Sequence, residues 1–133
     1  MPSSASPQYS REYLRQERDL PNEDQVLVRI MVLEVLLKDG MKLASGSLVK
    51  PLGRGLWEFR IGRNIKSVLK SVDVVISAAL VNRTVLVRVF FSFEEDGILL
   101  LGCYNKLKDG GGRAQNLAIN KARALLLTIR REK

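Results

Sequence analysis

Between residues 9 and 38 the apolar positions recur at helical spacing. Tyr9 and Tyr13 sit four apart, so they share a face of a segment running from about Pro7 to Leu20, with Pro7 a first-turn residue after Ser6. Pro21 interrupts the pattern. Asn22 with Gln25 three residues on resembles a capping box, and it opens a second helix through about Lys38. Leu27, Ile30, Met31 and Leu37 give that helix an apolar stripe, and Lys38-Asp39-Gly40 is a stop signal. The pattern predicts an N-terminal helical hairpin behind a flexible tail over residues 1–8.

From residue 47 the period becomes two. In Leu56-Trp57-Glu58-Phe59-Arg60-Ile61, Trp57, Phe59 and Ile61 point to one side and should meet the helices, while Glu58 and Arg60 share the other. Residues 84–93 alternate likewise: Val85, Val87, Val89, Phe91 and Phe93 form a dry face, with Arg88 opposite. Glu94-Glu95-Asp96-Gly97 reads as a solvated hairpin turn, and a further strand runs from Ile98 to about Tyr104. These strands predict an antiparallel meander. A flexible loop, residues 105–112, leads to a terminal helix on which Ala114, Ala118, Ala122, Leu125 and Ile129 recur among Arg113, Lys121, Arg123, Arg130 and Arg131. Residues 63–83 fit neither period. Residues 64–71 read as a basic helical turn and Val72–Val81 as an extra strand, with a buried helix as the alternative. The expected fold is α+β, a helical hairpin packed on an antiparallel β-meander with a C-terminal helix.

Composition narrows the chemistry. A length of 133 residues suits one domain, here residues 9–133, and 46% apolar residues can build its core. There is one cysteine and no histidine. That excludes an internal disulfide, a multi-cysteine zinc site and every His-based triad or ribonuclease pair, so Asp, Glu, Lys, Tyr or Cys must move any protons. No metal or small-molecule cofactor is expected. Residues 1–46 hold six basic and seven acidic side chains, whereas residues 47–133 hold sixteen and seven, or +9. Such a basic region suits a polyanion, RNA or DNA first; a basic protein with no such partner is the competing reading. The apolar stretches 26–37 and 72–93 are broken by charges and the first residues lack an apolar signal core, so a cytoplasmic protein without a membrane partner is expected.

Arg60, Arg88, Tyr104, Lys106 and Lys108 come from three neighbouring strands and the loop after the last. On one sheet face, two guanidiniums would offer bidentate phosphate contacts, the lysines point charge, and the Tyr104 ring a stacking surface for a base. Such a set can cleave RNA without histidine. A lysine or carboxylate takes the 2′-OH proton and arginines stabilise the charged phosphorane, provided a dense cationic cluster lowers the pKa of any lysine or tyrosine acting as base. The alternative is structural: Arg60 pairs with Glu58, Arg88 lays its stem along the sheet, and Tyr104 packs. Gly110-Gly111-Gly112 reads as a hinge, with a phosphate cradle as the lesser alternative because the Gly-Lys-Ser/Thr ending is missing, and Cys103 as a small buried hydrophobe.

The order of these features resembles the RelE/HigB-type toxins of type II toxin–antitoxin systems, within the RelE/ParE superfamily and its phage-derived branch. The likeness spans residues 9–133. Residues 48–61, Leu-Val-Lys-Pro-Leu-Gly-Arg-Gly-Leu-Trp-Glu-Phe-Arg-Ile, are similar to the family's K-x-L-x-x-G-L-W/Y-E-L-R stretch. Arg88-Val89-Phe90-Phe91 is similar to its R-V/I-x-Y/F strand. Residues 99–106, Leu-Leu-Leu-Gly-Cys-Tyr-Asn-Lys, are similar to L-L-x-G-F/Y-x-K, before the Ala-rich terminal helix. The resemblance implies a ribosome-dependent endoribonuclease that cuts mRNA and so inhibits translation. In it Arg60 and Arg88 stabilise the transition state, Tyr104 orients a base, and Lys106 and Lys108 contact phosphate or assist proton transfer. Lys50, Arg54, Arg63, Lys108 and Arg113 are the expected further nucleic-acid contacts. A cognate antitoxin is the implied protein partner, in a joint oligomer. A ParE-like gyrase poison and a non-catalytic nucleic-acid- or antitoxin-binding member are the alternatives. Two departures stand out: residues 105–112 replace the family's Lys-Lys-x-x-x-x-x-Pro run, and the connection from Ile61 to Thr84 is longer, an insertion over 63–83.

Overall fold

A computed structural model of the chain describes residues 6–132. Strand β1 (Ser6–Tyr9) leads into helix α1 (Arg11–Arg18), whose start is set by Ser10, the side chain of which accepts from the Tyr13 N–H. Part of the expected tail is therefore strand. Ser6–Gln8 lie in β1, which pairs in parallel with a later strand, and residues 1–5 lie outside the described residues. Helix α1 accordingly starts after Ser10, not near Pro7.

Helix α2 (Asn22–Met31) continues through a π-helical turn (Val32–Leu36) and a last α-turn, α3 (Leu37–Asp39), into a 3-10 segment (Gly40–Ser45). The wide turn falls in the β-branched stretch, and Val32, Val35 and Leu36 are all buried by it. The expected capping box does not form. Gln25 instead donates to the Leu20 and Arg18 carbonyls, at 2.8 and 3.1 Å, and ties the corner between α1 and α2.

Strands β3 (Leu56–Ile61), β4 (Val87–Glu94) and β5 (Gly97–Asn105) form the expected antiparallel meander, and β2 (Val49–Gly53) extends it beside β3. With β1 the sheet has five strands, in the order β1-β5-β4-β3-β2, and is mixed, not purely antiparallel. Between β3 and β4 lie two short helices, α4 (Ile65–Ser71) and α5 (Ala78–Val81). The extra strand expected over Val72–Val81 is absent among the described residues. Its β-branched side chains Val72, Val74, Ile76 and Val81 pack half-buried onto the core instead. Short helix α6 (Lys106–Asp109), capped by the Asn105 side chain, occupies the first half of the expected flexible loop. Helix α7 (Arg113–Arg131) ends the fold, which is α+β with a C-terminal helix.

Both sheet faces are covered. One carries Phe59, Ile61, Val87, Val89, Phe91, Ile98 and Leu100 against Leu27, Val28, Met31 and Val35 of the hairpin. The other carries Leu56, Phe90, Leu99 and Leu101 against Ala122 and Leu126 of α7. The irregular step opposite Phe90–Phe91 leaves Leu101 without a partner on β4, so Leu101 and Gly102 both face α7. Gln16 of α1 uses it, its Oε1 accepting from the Cys103 N–H at 2.8 Å. The approach is close at Gly102, where a Cβ would stand 3.2 Å from Gln16 Oε1 and 3.3 Å from Phe90 Cδ2. No described helix is long and apolar enough to cross a membrane.

Candidate functional site

The strand register brings Arg60, Arg88 and Tyr104 into one lateral row, since Arg60 pairs with Arg88 and Arg88 with Tyr104. Side chains directly opposite on antiparallel strands lie about 5 Å apart at Cβ, so the three are neighbours on one face. That face lies beneath α7. The Arg88 side chain is only 12% exposed, while Arg60 is 38% exposed.

Between them sits Glu58, two residues before Arg60 and almost wholly buried. Its Oε1 lies 3.2 Å from Arg60 Nε and 3.9 Å from Arg88 Nε, while Oε2 accepts from Gln115 Nε2 of α7 at 3.0 Å. One carboxylate therefore faces two guanidiniums, and the cluster keeps a net positive charge. Burial lowers the Arg88 pKa, Glu58 raises it, and Arg60 lowers it further. The structural expectation is met for Arg60, which pairs with Glu58, and Arg88 is held inside.

Tyr104 packs beside Leu101 and Ala122, and its hydroxyl donates to the Gly110 carbonyl. Its pKa is raised, first by burial and then by the Asp109 carboxylate. A tyrosine whose pKa goes up stays a phenol at neutral pH, so it can donate but not act as the base that a cationic cluster would favour. Lys106 begins α6, half-buried, with its backbone N–H on the Leu86 carbonyl at 2.9 Å. Its stem runs under the glycine turn, where a Cβ on Gly111 would stand 3.4 Å from Lys106 Cε. Lys108 is exposed on α6 and lines a groove of about 520 Å³ between α1 and α7, together with Gln16, Asp19, Cys103, Tyr104 and Lys121.

The remaining expected contacts are exposed and lie at different distances from the row, Lys50 beside it and Arg54 far along β3. Arg113 is exposed at the start of α7 and Arg63 on the turn after β3. Lys50 is exposed on β2 opposite Glu58. Arg54 sits at the tip of the β2–β3 turn with φ 56°, about 20 Å along β3 from Arg60 by strand rise. Its carbonyl accepts from Arg130 at 3.3 Å, while Arg123 grips the Leu52 and Gly53 carbonyls at 2.9 and 3.0 Å, so the tip is a seat for α7.

Glu58 was legible only as a possible partner of Arg60, through its i, i+2 spacing. Nothing in the sequence marks Gln115, because its role depends on how α7 is rotated. Cys103 is buried and its thiol pKa is raised, first by burial and then by Glu17, as suits a small core residue. Among the described residues no three His, Cys, Asp or Glu side chains converge as a metal cage. No family model, curated protein or solved structure matches this chain.

Proposed function

We propose that this protein is the toxin of a type II toxin–antitoxin module, a metal-independent endoribonuclease that cuts mRNA on the ribosome. The observation that carries the reading is the Arg60–Arg88–Tyr104 row, with Lys106 two residues beyond it and one carboxylate against two guanidiniums. The order of elements supports it as well: a helical hairpin, a meander bearing the cations, and a basic C-terminal helix, as in RelE-type folds.

In this reading the 2′-oxygen attacks the adjacent phosphorus, its proton passes to a neighbouring base, and the 5′-oxygen leaves with a proton. Arg60, the more exposed guanidinium, donates to the phosphorane oxygens; Arg88 adds positive potential from behind. Each such donor in a water-poor site contributes about 3–4 kcal/mol to the transition state. Lys106 assists proton transfer, and Tyr104 orients a base only on releasing the Gly110 carbonyl that its hydroxyl holds. Glu58 holds the guanidiniums in place, and a cognate antitoxin shields this face.

Induced expression followed by primer extension on cellular mRNA tests the proposal. Arg60→Ala should cut cleavage about 100-fold or more and relieve growth arrest, with the protein still folded by circular dichroism. Full toxicity in Arg60→Ala, Arg88→Ala and the double variant sinks the site. Inhibition of gyrase supercoiling without mRNA cuts would assign the ParE-like activity instead. A second reading has its own support. The Tyr104 hydroxyl is committed to Gly110 and Glu58 to both arginines, which suits a member that binds RNA or antitoxin without cutting. RNA binding with neither cleavage nor arrest identifies it.

A further inference from the structure

Helix α4 has two unlike sides. Ile65 and Leu69, four residues apart, are buried at 3% and 2% exposure and anchor it to the core. Lys66 and Lys70, also four apart, are exposed, and so is Arg63 before the helix. None of the three cations meets a carboxylate among the described residues. The start of α4 is fixed to the end of β3 by Asn64, whose Oδ1 accepts from the Gly62 N–H at 3.0 Å and whose Nδ2 donates to the Arg60 carbonyl at 3.3 Å. In sequence the cations follow the arginine row, as Arg60, Arg63, Lys66 and Lys70, although α4 packs on the hairpin side of the sheet and Arg60 on the α7 side.

At the foot of α4 lies a depression of about 330 Å³ lined by Gly62, Arg63, Arg83, Thr84 and Val85. Arg83 is held in place by Asp24, 2.6 Å from its Nε, with Glu23 3.9 Å from Nη2. One arginine there is therefore locked and the other free.

We propose that α4 and this depression form a second phosphate-contacting surface, which holds RNA beyond the bond that faces Arg60 and Arg88. It rests on the reading above that the partner is RNA. The exposed side of α4 offers Lys66, Ser67, Lys70 and Ser71, with no aromatic or large apolar anchor. A protein partner needs such an anchor at the centre of its interface. A polyphosphate needs only cations at regular intervals, and i, i+4 positions on a helix set their Cβ atoms about 6 Å apart.

The test is the salt dependence of binding to a fluorescein-labelled single-stranded RNA oligonucleotide, read by anisotropy. Each phosphate contact to a single strand contributes about −0.7 to the slope of log K against log salt. Lys66→Gln/Lys70→Gln should make the slope shallower by about 1.4 and weaken binding roughly 25-fold near 0.1 M salt, with the thermal midpoint unchanged. A double variant with wild-type slope and affinity overturns the proposal, as does a wild-type protein that binds no RNA. So does a wild-type protein that binds polyglutamate as tightly as RNA with the same dependence on both lysines. Cleavage separates the two readings. If Arg60→Ala/Arg88→Ala leaves activity intact while the lysine variant loses slope, the nuclease site is wrong and the α4 surface stands. If the arginine variant abolishes cleavage while the lysine variant behaves as wild type, only the α4 surface falls.

Discussion

The two faces of the sheet are built from the same strands yet differ in chemistry. Under the helical hairpin, β3 and β4 present Phe59, Ile61, Val87, Val89 and Phe91, all closed off from solvent. Under α7 the same strands present Leu56, Glu58, Arg60, Arg88 and Phe90, covered by a helix whose contact residues include Ala114, Ala118 and Ala122. The first face spends its area on apolar burial. The second accepts a buried carboxylate and a nearly buried guanidinium, and small alanines let the helix lie close over them. A face kept polar at that cost is where a charged ligand is best met, and it is also the less stable of the two.

The sharpest way to break this contrast is to open the dry face. Phe91→Ala should lower stability by about 3–5 kcal/mol in denaturant titration, because a fully buried ring leaves a cavity the sheet cannot collapse. A loss below about 1 kcal/mol would mean that the dry face does not hold the fold. On the polar face, Glu58→Gln should cost about 2 kcal/mol. Arg88 then loses its counter-charge, but the part due to Arg60 is reduced by solvent at its 38% exposed side chain. A Glu58→Gln variant more stable than wild type would show that burying the carboxylate costs more than its pairing returns.

The smallest effect concerns the edge of the dry face. Tyr13 Oη and Glu17 Oε2 are buried without a hydrogen-bond partner, beside the Glu17–Arg29 ion pair of 2.7 Å. The Tyr13 pKa is raised above 10, chiefly by burial and then by Cys103 and Glu17. Its neutral form is thus favoured on folding, so its contribution is complete below pH 10 and is lost as pH rises beyond that. The Cys103 thiol behaves in the same sense from its ordinary value of 9.0 upward. Tyr13→Phe should change stability at pH 7 by less than about 1 kcal/mol, since it removes an unpartnered hydroxyl. It should also remove about 1.4 kcal/mol per pH unit of alkaline loss above pH 10. An unchanged slope between pH 10 and 11 in the denaturant midpoint would assign the alkaline sensitivity elsewhere.

Period-two alternation was enough to find β3 and β4 and to sort Phe59, Ile61, Val87, Val89 and Phe91 from Arg60 and Arg88, because side-chain direction along a strand is a local property; β5 was marked instead by the Glu94–Gly97 turn before a continuous apolar run. The arginine row was legible for the same reason. Strand β1 was not, since four residues reading Ser-Pro-Gln-Tyr carry no apolar alternation and become strand only because β5 offers an edge. Residues 72–81 failed in the opposite direction: β-branched side chains suited a ladder, but Val72, Val74, Ile76 and Val81 pack onto the core from a connection and a short helix instead. Propensity here yielded to tertiary packing.

The sequence by itself determined the long helices, strands β3 to β5, the dry face and the presence of paired arginines without histidine, because hydropathic period and residue type act locally. Only the tertiary structure decided that α7 closes over those arginines, that Glu58 lies between them with Gln115 on its far oxygen, and that Tyr104 spends its hydroxyl on Gly110. Those facts depend on the rotation of one helix against a sheet. That rotation is set by packing among residues more than fifty positions apart, such as Gln115 and Glu58, which no local pattern records.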